Sequence, residues 1–237
     1  MPTVRQSLVE RNTSETQIRL ALRLTEGTPG SLTGSCGIGF LDHMLRAVCV
    51  HGGMDIELQM HGDLEVDCHH SAEDLGIAFG QAFRQAAGDK NSLCRYGESF
   101  VPMDESLART VLDISGRPYL VFDCAWRNER VGGLDLCMIR EFFYAFSYSA
   151  GVTLHMTLLY GENDHHKAEA LFKSFARALR TASGLRTGGV VSTKGILCWR
   201  LSIILWAISI RSATRSTVWA CRTGSALPPK RLNRRTG

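Results

Sequence analysis

No two of the eight cysteines form a C-x-x-C pair; Cys36, Cys49, Cys68, Cys94, Cys124, Cys137, Cys198 and Cys221 are scattered along 237 residues. The first residues, MPTVRQSLVERNTSETQ, lack the apolar core of an export signal. Together these absences point to reduced thiols in a cytoplasmic protein. Long hydrophobic runs are missing too. The longest, Leu201–Ile210, is interrupted by serines and is half the roughly 20 residues a membrane span requires, so no membrane role is expected. Acidic residues are absent from residues 198–237, which hold eight basic ones. Residues 1–197 then carry 19 basic against 23 acidic residues, and the formal charge of +4 misrepresents them. The body of the chain is mildly acidic, which gives no argument for nucleic-acid binding.

What is present is an internal repeat. HHSAEDLGIAFGQAFRQAAG from His69 aligns with HHKAEALFKSFARALRTASG from His165, which sets Leu75 on Leu171, Phe79 on Phe175, Ala82 on Ala178 and Gly88 on Gly184. Apolar residues at 75, 78, 79, 82, 83 and 86 form one helical face, with Gly88 as its stop. A weaker repeat aligns DHMLRAVCVHGGMDIEL from Asp42 with REFFYAFSYSAGVTLHM from Arg140, pairing Gly53 with Gly151. Each half reads as strands, a helix, a strand and a second helix. The strands include Gln17–Leu24 and Ile56–Met60 in one half, and Ala108–Ile114, Tyr119–Asp123 and Thr153–Leu158 in the other. The expected fold is α+β, two similar halves packed as a pseudo-dimer with helices against sheets. The halves cover about residues 1–90 and 91–197, and a shared site is expected at their junction. Residues 198–237 hold three of the four tryptophans and show no helix or strand period. They read as an atypical basic tail without a fold of its own.

Six of the eight histidines lie in three clusters: His43; His69 and His70; and His155, His165 and His166. Each His-His pair is followed by a carboxylate, Glu73 or Glu169. In a helix the first His and the Glu are i and i+4, so both face one way and can grip one divalent cation. The adjacent His is turned about 100° away and must serve another metal or an adjoining subunit. Six imidazoles and two carboxylates suffice for two metals, and nitrogen-oxygen ligation without thiolate favours Mn, Fe, Co, Ni or Zn.

The segments LDHML with His51-Gly52 beyond it, D-x-HHSAED, SGRPYL, GENDHHKAEALFKSFARAL and STKGIL occur in that order. From about Val4 to Leu197 the chain resembles imidazoleglycerol-phosphate dehydratase. The resemblance implies a hydro-lyase of histidine biosynthesis that dehydrates D-erythro-imidazole-glycerol phosphate to imidazole-acetol phosphate. It implies two manganese ions per subunit, other divalent metals being possible, held by His43, His69, His70, Glu73, His155, His165, His166 and Glu169. Among these, His43, His69 and His165 would also meet the substrate. By the same resemblance Glu15 and His51 are catalytic, and both join Arg95, Arg117, Lys173, Ser192, Thr193 and Lys194 in binding substrate. Cationic and hydroxyl donors of this kind suit a phosphate. A cytoplasmic homo-oligomer of 24 subunits, with sites completed by neighbours, is likewise implied, with no nucleic-acid or membrane partner. Two departures stand out: Arg140-Glu141 before the paired Phe142 and Phe143, and Leu134-Asp135-Leu136 where Phe-Asp-Thr is typical. Both fall outside the implied ligands and bear on packing or assembly. A binuclear metallohydrolase could use similar ligands but would typically bridge its metals with Asp, and no Asp occupies a repeat-matched ligand slot. A non-catalytic metal-binding shell would need no cations suited to phosphate.

Overall fold

Alternation of period two builds the strands. In β2 (Thr16–Leu24), Ile18, Leu20 and Leu22 are buried and the residues between them face outward. The computed structural model describes residues 4–25, 27–188 and 191–192, all within a unit that spans Met1–Arg200. The first half continues from β1 (Gln6–Asn12) and β2 through β3 (Leu32–Ser35), α1 (Gly39–Gly52), β4 (Met54–Gly62) and α2 (His69–Ala87). The second half has β5 (Tyr96–Met103), β6 (Ser106–Asp113), β7 (Tyr119–Asp123), a small β8–β9 hairpin (Arg130–Val131 and Leu134–Asp135), α3 (Cys137–Ala150), β10 (Thr153–Tyr160) and α4 (Asp164–Ser183).

The two sheets share one topology. Their strand orders are β1-β2-β4-β3 and β5-β6-β10-β7. In each, the fourth strand in space runs parallel to its neighbour and the other pairs are antiparallel. The fold is α+β and duplicated, as the repeat requires. Its caps are duplicated too: Gly53 and Gly151 end α1 and α3 in the left-handed region, at φ 63° and 67°, where a side chain would be strained. The helix stop at Gly88 has φ 65°, whereas its partner Gly184 has φ −56° and donates to the Thr181 carbonyl.

The repeat does not reveal how the halves join. Each long helix lies on its own sheet, α2 over β1 and β2, α4 over β5 and β6. Each also packs against the shorter helix of the other half, α2 with α3 and α4 with α1. Phenylalanines fill the crossing: Phe79, Phe83, Phe142, Phe143, Phe146, Phe172 and Phe175 are fully buried. Their rings approach to 4.7 Å for Phe143–Phe172 and 5.0 Å for Phe79–Phe146, contacts that add to the area term. α2 approaches α3 closely because Gly76 and Gly80 lack side chains. A Cβ at either would lie 2.5 Å from the Phe142 carbonyl oxygen or 2.7 Å from that of Phe146.

Candidate functional site

Both histidine pairs sit at helix starts, held there by short side chains that accept backbone N–H groups. Asp67 accepts from His69 N at 2.7 Å. Asn163, the N-cap of α4, accepts from His165 N at 2.9 Å and His166 N at 3.4 Å. Asp164 is buried beneath this start and accepts from the backbone of Arg127 and Asn128, from the Asn128 side chain, and from Lys167 Nζ at 2.8 Å. The loop before α3 is thereby fixed to the histidine-bearing end of α4.

The crossing of α1 and α4 brings together residues far apart in sequence. His43, His165 and Glu169 offer ligand atoms that all lie within 4.8 Å of one another. His43 Nε2 is 3.7 Å and His165 Nε2 3.3 Å from Glu169 Oε2. The edge of Phe40 packs on His165, ring centroids 5.0 Å apart. Glu169 Oε1 also receives Lys173 Nζ at 2.7 Å. Burial alone would raise the Glu169 carboxyl, but Lys173 and the two imidazoles outweigh it and hold the group below its ordinary range. Bonds of about 2.0–2.2 Å to one cation separate neighbouring ligand atoms by about 3.0–3.6 Å; the His165–Glu169 gap has that size, and His43 lies close enough for the trio to close on a divalent metal.

The first-half counterpart is sparser. His69 Nε2 lies 3.4 Å from Glu73 Oε2, the expected i, i+4 pair. The second histidines turn away, as their 100° rotation demands. His70 Nδ1 is 2.9 Å from Asp63 Oδ2, and its Nε2 is 3.9 Å from Glu15 Oε1 in the β1–β2 turn. His166 Nδ1 is 2.7 Å from Glu105 Oε2, and its Nε2 is 3.5 Å from Asp104 in the β5–β6 turn. The bond to Asp63 raises the His70 pKa and that to Glu105 raises the His166 pKa. Backbone N–H from Asn163, then His166, hold Glu105 far below the carboxylate range.

His155 is not brought to the others within the chain. Leu154 and Met156 point into the core, so His155 faces the outer side of the second sheet, flanked in register by Val111 and Val121. His51, in the last turn of α1, has its pKa lowered by burial and then by the cations Lys173 and Arg177.

Among the described residues, Arg95 and Arg117 meet at Asp113 while Lys173 sits apart with Glu169. Arg95 is buried, holds Asp113 through two bonds of 2.7 and 3.0 Å, and donates to the Val191 carbonyl beside Ser192. Arg117 stands 3.7 Å from the same Asp113. Lys173 is engaged by Glu169, whereas Arg95 N bonds the Ala182 carbonyl nine residues further along α4, a rise of about 13 Å. Arg95 also has φ 74°, a left-handed conformation that costs a non-glycine residue about 1–3 kcal/mol. Thr193 and Lys194 lie outside the described residues.

Sequence reasoning missed Asp63, Glu105, Asp113 and Asp164, none of which belongs to a repeated motif. It also grouped His155 with its neighbours along the chain. The alternation Leu154, Met156, Leu158 already puts His155 on the opposite face of its strand.

A family model described as imidazoleglycerol-phosphate dehydratase matches residues 36–179. The imidazoleglycerol-phosphate dehydratase of Acetivibrio thermocellus is 50% identical over 191 residues, covering 80% of this chain and 97% of that protein. That of Clostridium botulinum is 53% identical over 190 residues, covering 80% and 96%. The crystal structure of the Staphylococcus aureus subsp. aureus N315 dehydratase superposes with a TM-score of 0.69 at 38% identity, covering 76% of this chain and 99% of that one. The Pyrococcus furiosus structure gives 0.68 at 34% identity, covering 80% and 100%.

Proposed function

The chain belongs to the imidazoleglycerol-phosphate dehydratase family, whose members are hydro-lyases, and on that premise we propose that it converts D-erythro-imidazole-glycerol phosphate to imidazole-acetol phosphate in histidine biosynthesis. The observation that carries this reading is the meeting of His43 from one half with His165 and Glu169 from the other. Those three would hold one divalent cation, manganese by family resemblance, and His69 with Glu73 would begin a second site. A metal so placed supplies Lewis acidity and a template for ring nitrogen and hydroxyl.

The chain's own groups supply proton movement and positioning. Glu15 offers a carboxylate acceptor on an exposed turn beside His70, and His51, kept neutral by burial and by Lys173 and Arg177, can take or return a proton. Arg95 and Arg117, gathered around Asp113, present guanidinium donors for phosphate near Ser192, with Thr193 and Lys194 following in sequence.

The sparser site needs further ligands. Glu141 is the fifth residue of α3 as His43 is the fifth of α1, and α3 packs on α2 as α1 packs on α4. By that analogy Glu141 would be the same-chain residue to join His69 and Glu73. His70, His166 and His155, which point elsewhere, would act across a contact with another copy. Tyr96, Phe100, Val111, Tyr119 and Val121 are exposed beside His155, an apolar surface that supports a homo-oligomer.

Purified full-length protein, stripped of metal and then given Mn2+, should release the ketone product from the imidazole substrate, and His165→Ala should lose more than about 100-fold in rate. Failure of the metal-loaded parent to turn over would overturn the assignment.

A further inference from the structure

A carboxylate hydrogen bond at Nδ1 separates His70 and His166 from the other helix-borne histidines of the site. For His43, His69 and His165 the facing oxygen is at Nε2, 3.3–3.7 Å away. That is the gap between two ligands of one cation. His70 and His166 have Glu15 and Asp104 at Nε2, 3.9 and 3.5 Å away, and in addition a carboxylate oxygen at Nδ1, at 2.9 and 2.7 Å, a hydrogen bond. Asp63 precedes α2 and Glu105 lies in the β5–β6 turn, so the same arrangement arises twice from different parts of the repeat.

A carboxylate can only accept, so Nδ1 must carry the proton and Nε2 is left as the outward ligand atom. Glu105 is itself fixed, because its other oxygen accepts N–H from Glu162 at 3.0 Å and Asn163 at 2.7 Å. Asp63 is anchored by its backbone, donating to the Glu15 carbonyl and accepting from Val66.

We infer that Asp63 and Glu105 are positioning residues that set the tautomer and ring direction of His70 and His166, so that Nε2 of each is presented outward to a divalent cation. The inference rests on the metal-dependent reading above. Histidines that bind metal are commonly held by such a partner, whose loss costs about 10–100-fold in metal affinity.

Asp63 gives the cleaner test, because Glu105 also holds the loop before α4. Full-length protein would be stripped and titrated with Mn2+ in competition with a chelating dye, for the parent, Asp63→Ala, Asp63→Asn and His70→Ala. Unfolding of the stripped proteins would be followed in parallel. Asp63→Ala should bind Mn2+ about 10–100-fold more weakly at one site while unfolding near the parent. Asp63→Asn should recover much of that loss, since its amide oxygen still accepts the Nδ1 proton. Parent-like binding by Asp63→Ala, alongside weakened binding by His70→Ala, would overturn the inference and leave the metal reading standing. Equal loss in Asp63→Asn and Asp63→Ala would also overturn it, since orientation would then not be what Asp63 supplies. Unchanged binding by His70→Ala would remove the metal reading itself, and the inference with it.

Discussion

The same five-residue pattern, H-H-x-x-E, occurs twice and is built into two unlike places. Glu169 is 11% exposed and gathers His43, His165 and Lys173. Glu73 is 46% exposed and meets His69 alone among the ion pairs of the described residues. The residues preceding the pairs differ as well. Asp164, buried and bonded five times, occupies the repeat position of Cys68, which accepts one weak bond from Asp135 N at 3.4 Å. A duplicated motif thus guarantees the helix and the spacing, while surroundings decide whether the ligands are organised by the chain itself or left to be completed.

Three measurements would break or sharpen that contrast. The largest effect is expected at Asp164. Its removal strands Lys167, whose side chain is 3% exposed, and breaking such a buried pair costs about 3–5 kcal/mol. Cys68→Ala at the matching position should cost about 1 kcal/mol. Denaturant unfolding of the two variants would test this, and equal losses would mean that the halves are anchored alike. Next, in metal-free protein, Glu169→Ala should cost about 1–3 kcal/mol by leaving the Lys173 ammonium poorly exposed and unpaired. Glu73→Ala should stay within about 0.5 kcal/mol. Comparable values would show that Glu169 is no better organised than its repeat partner.

The smallest effect concerns pH. His70 and His166 have folded pKa values raised above 6.5 by Asp63 and Glu105. Their contribution to the stripped protein is therefore complete below about pH 6.5 and is lost as pH rises through the folded values. Stability of the metal-free chain should decline on the alkaline side of 6.5. Asp63→Asn should flatten the first-half share and Glu105→Gln the second. A stability profile between pH 6 and 9 that is flat in the parent would contradict both bonds.

The amino-acid sequence by itself determined the duplication, the α+β class, the four helices and the helix stop at Gly88. Each is a local matter of periodicity or of a residue's allowed backbone angles. It also determined the i, i+4 pairs His69–Glu73 and His165–Glu169, because helical geometry alone puts them together. Only the tertiary structure decided that α4 packs on α1 and α2 on α3. That crossing brings His43 to Glu169. Only the pairing of β10 with β6 and β7 set Val111 and Val121 beside His155, and only the folded turns delivered Asp63 and Glu105 to their imidazoles. The reason is physical: a repeat fixes the face that each helix presents, but its partner is selected by the fit of whole faces, here seven phenylalanines of α2, α3 and α4 and two glycines where α2 meets α3.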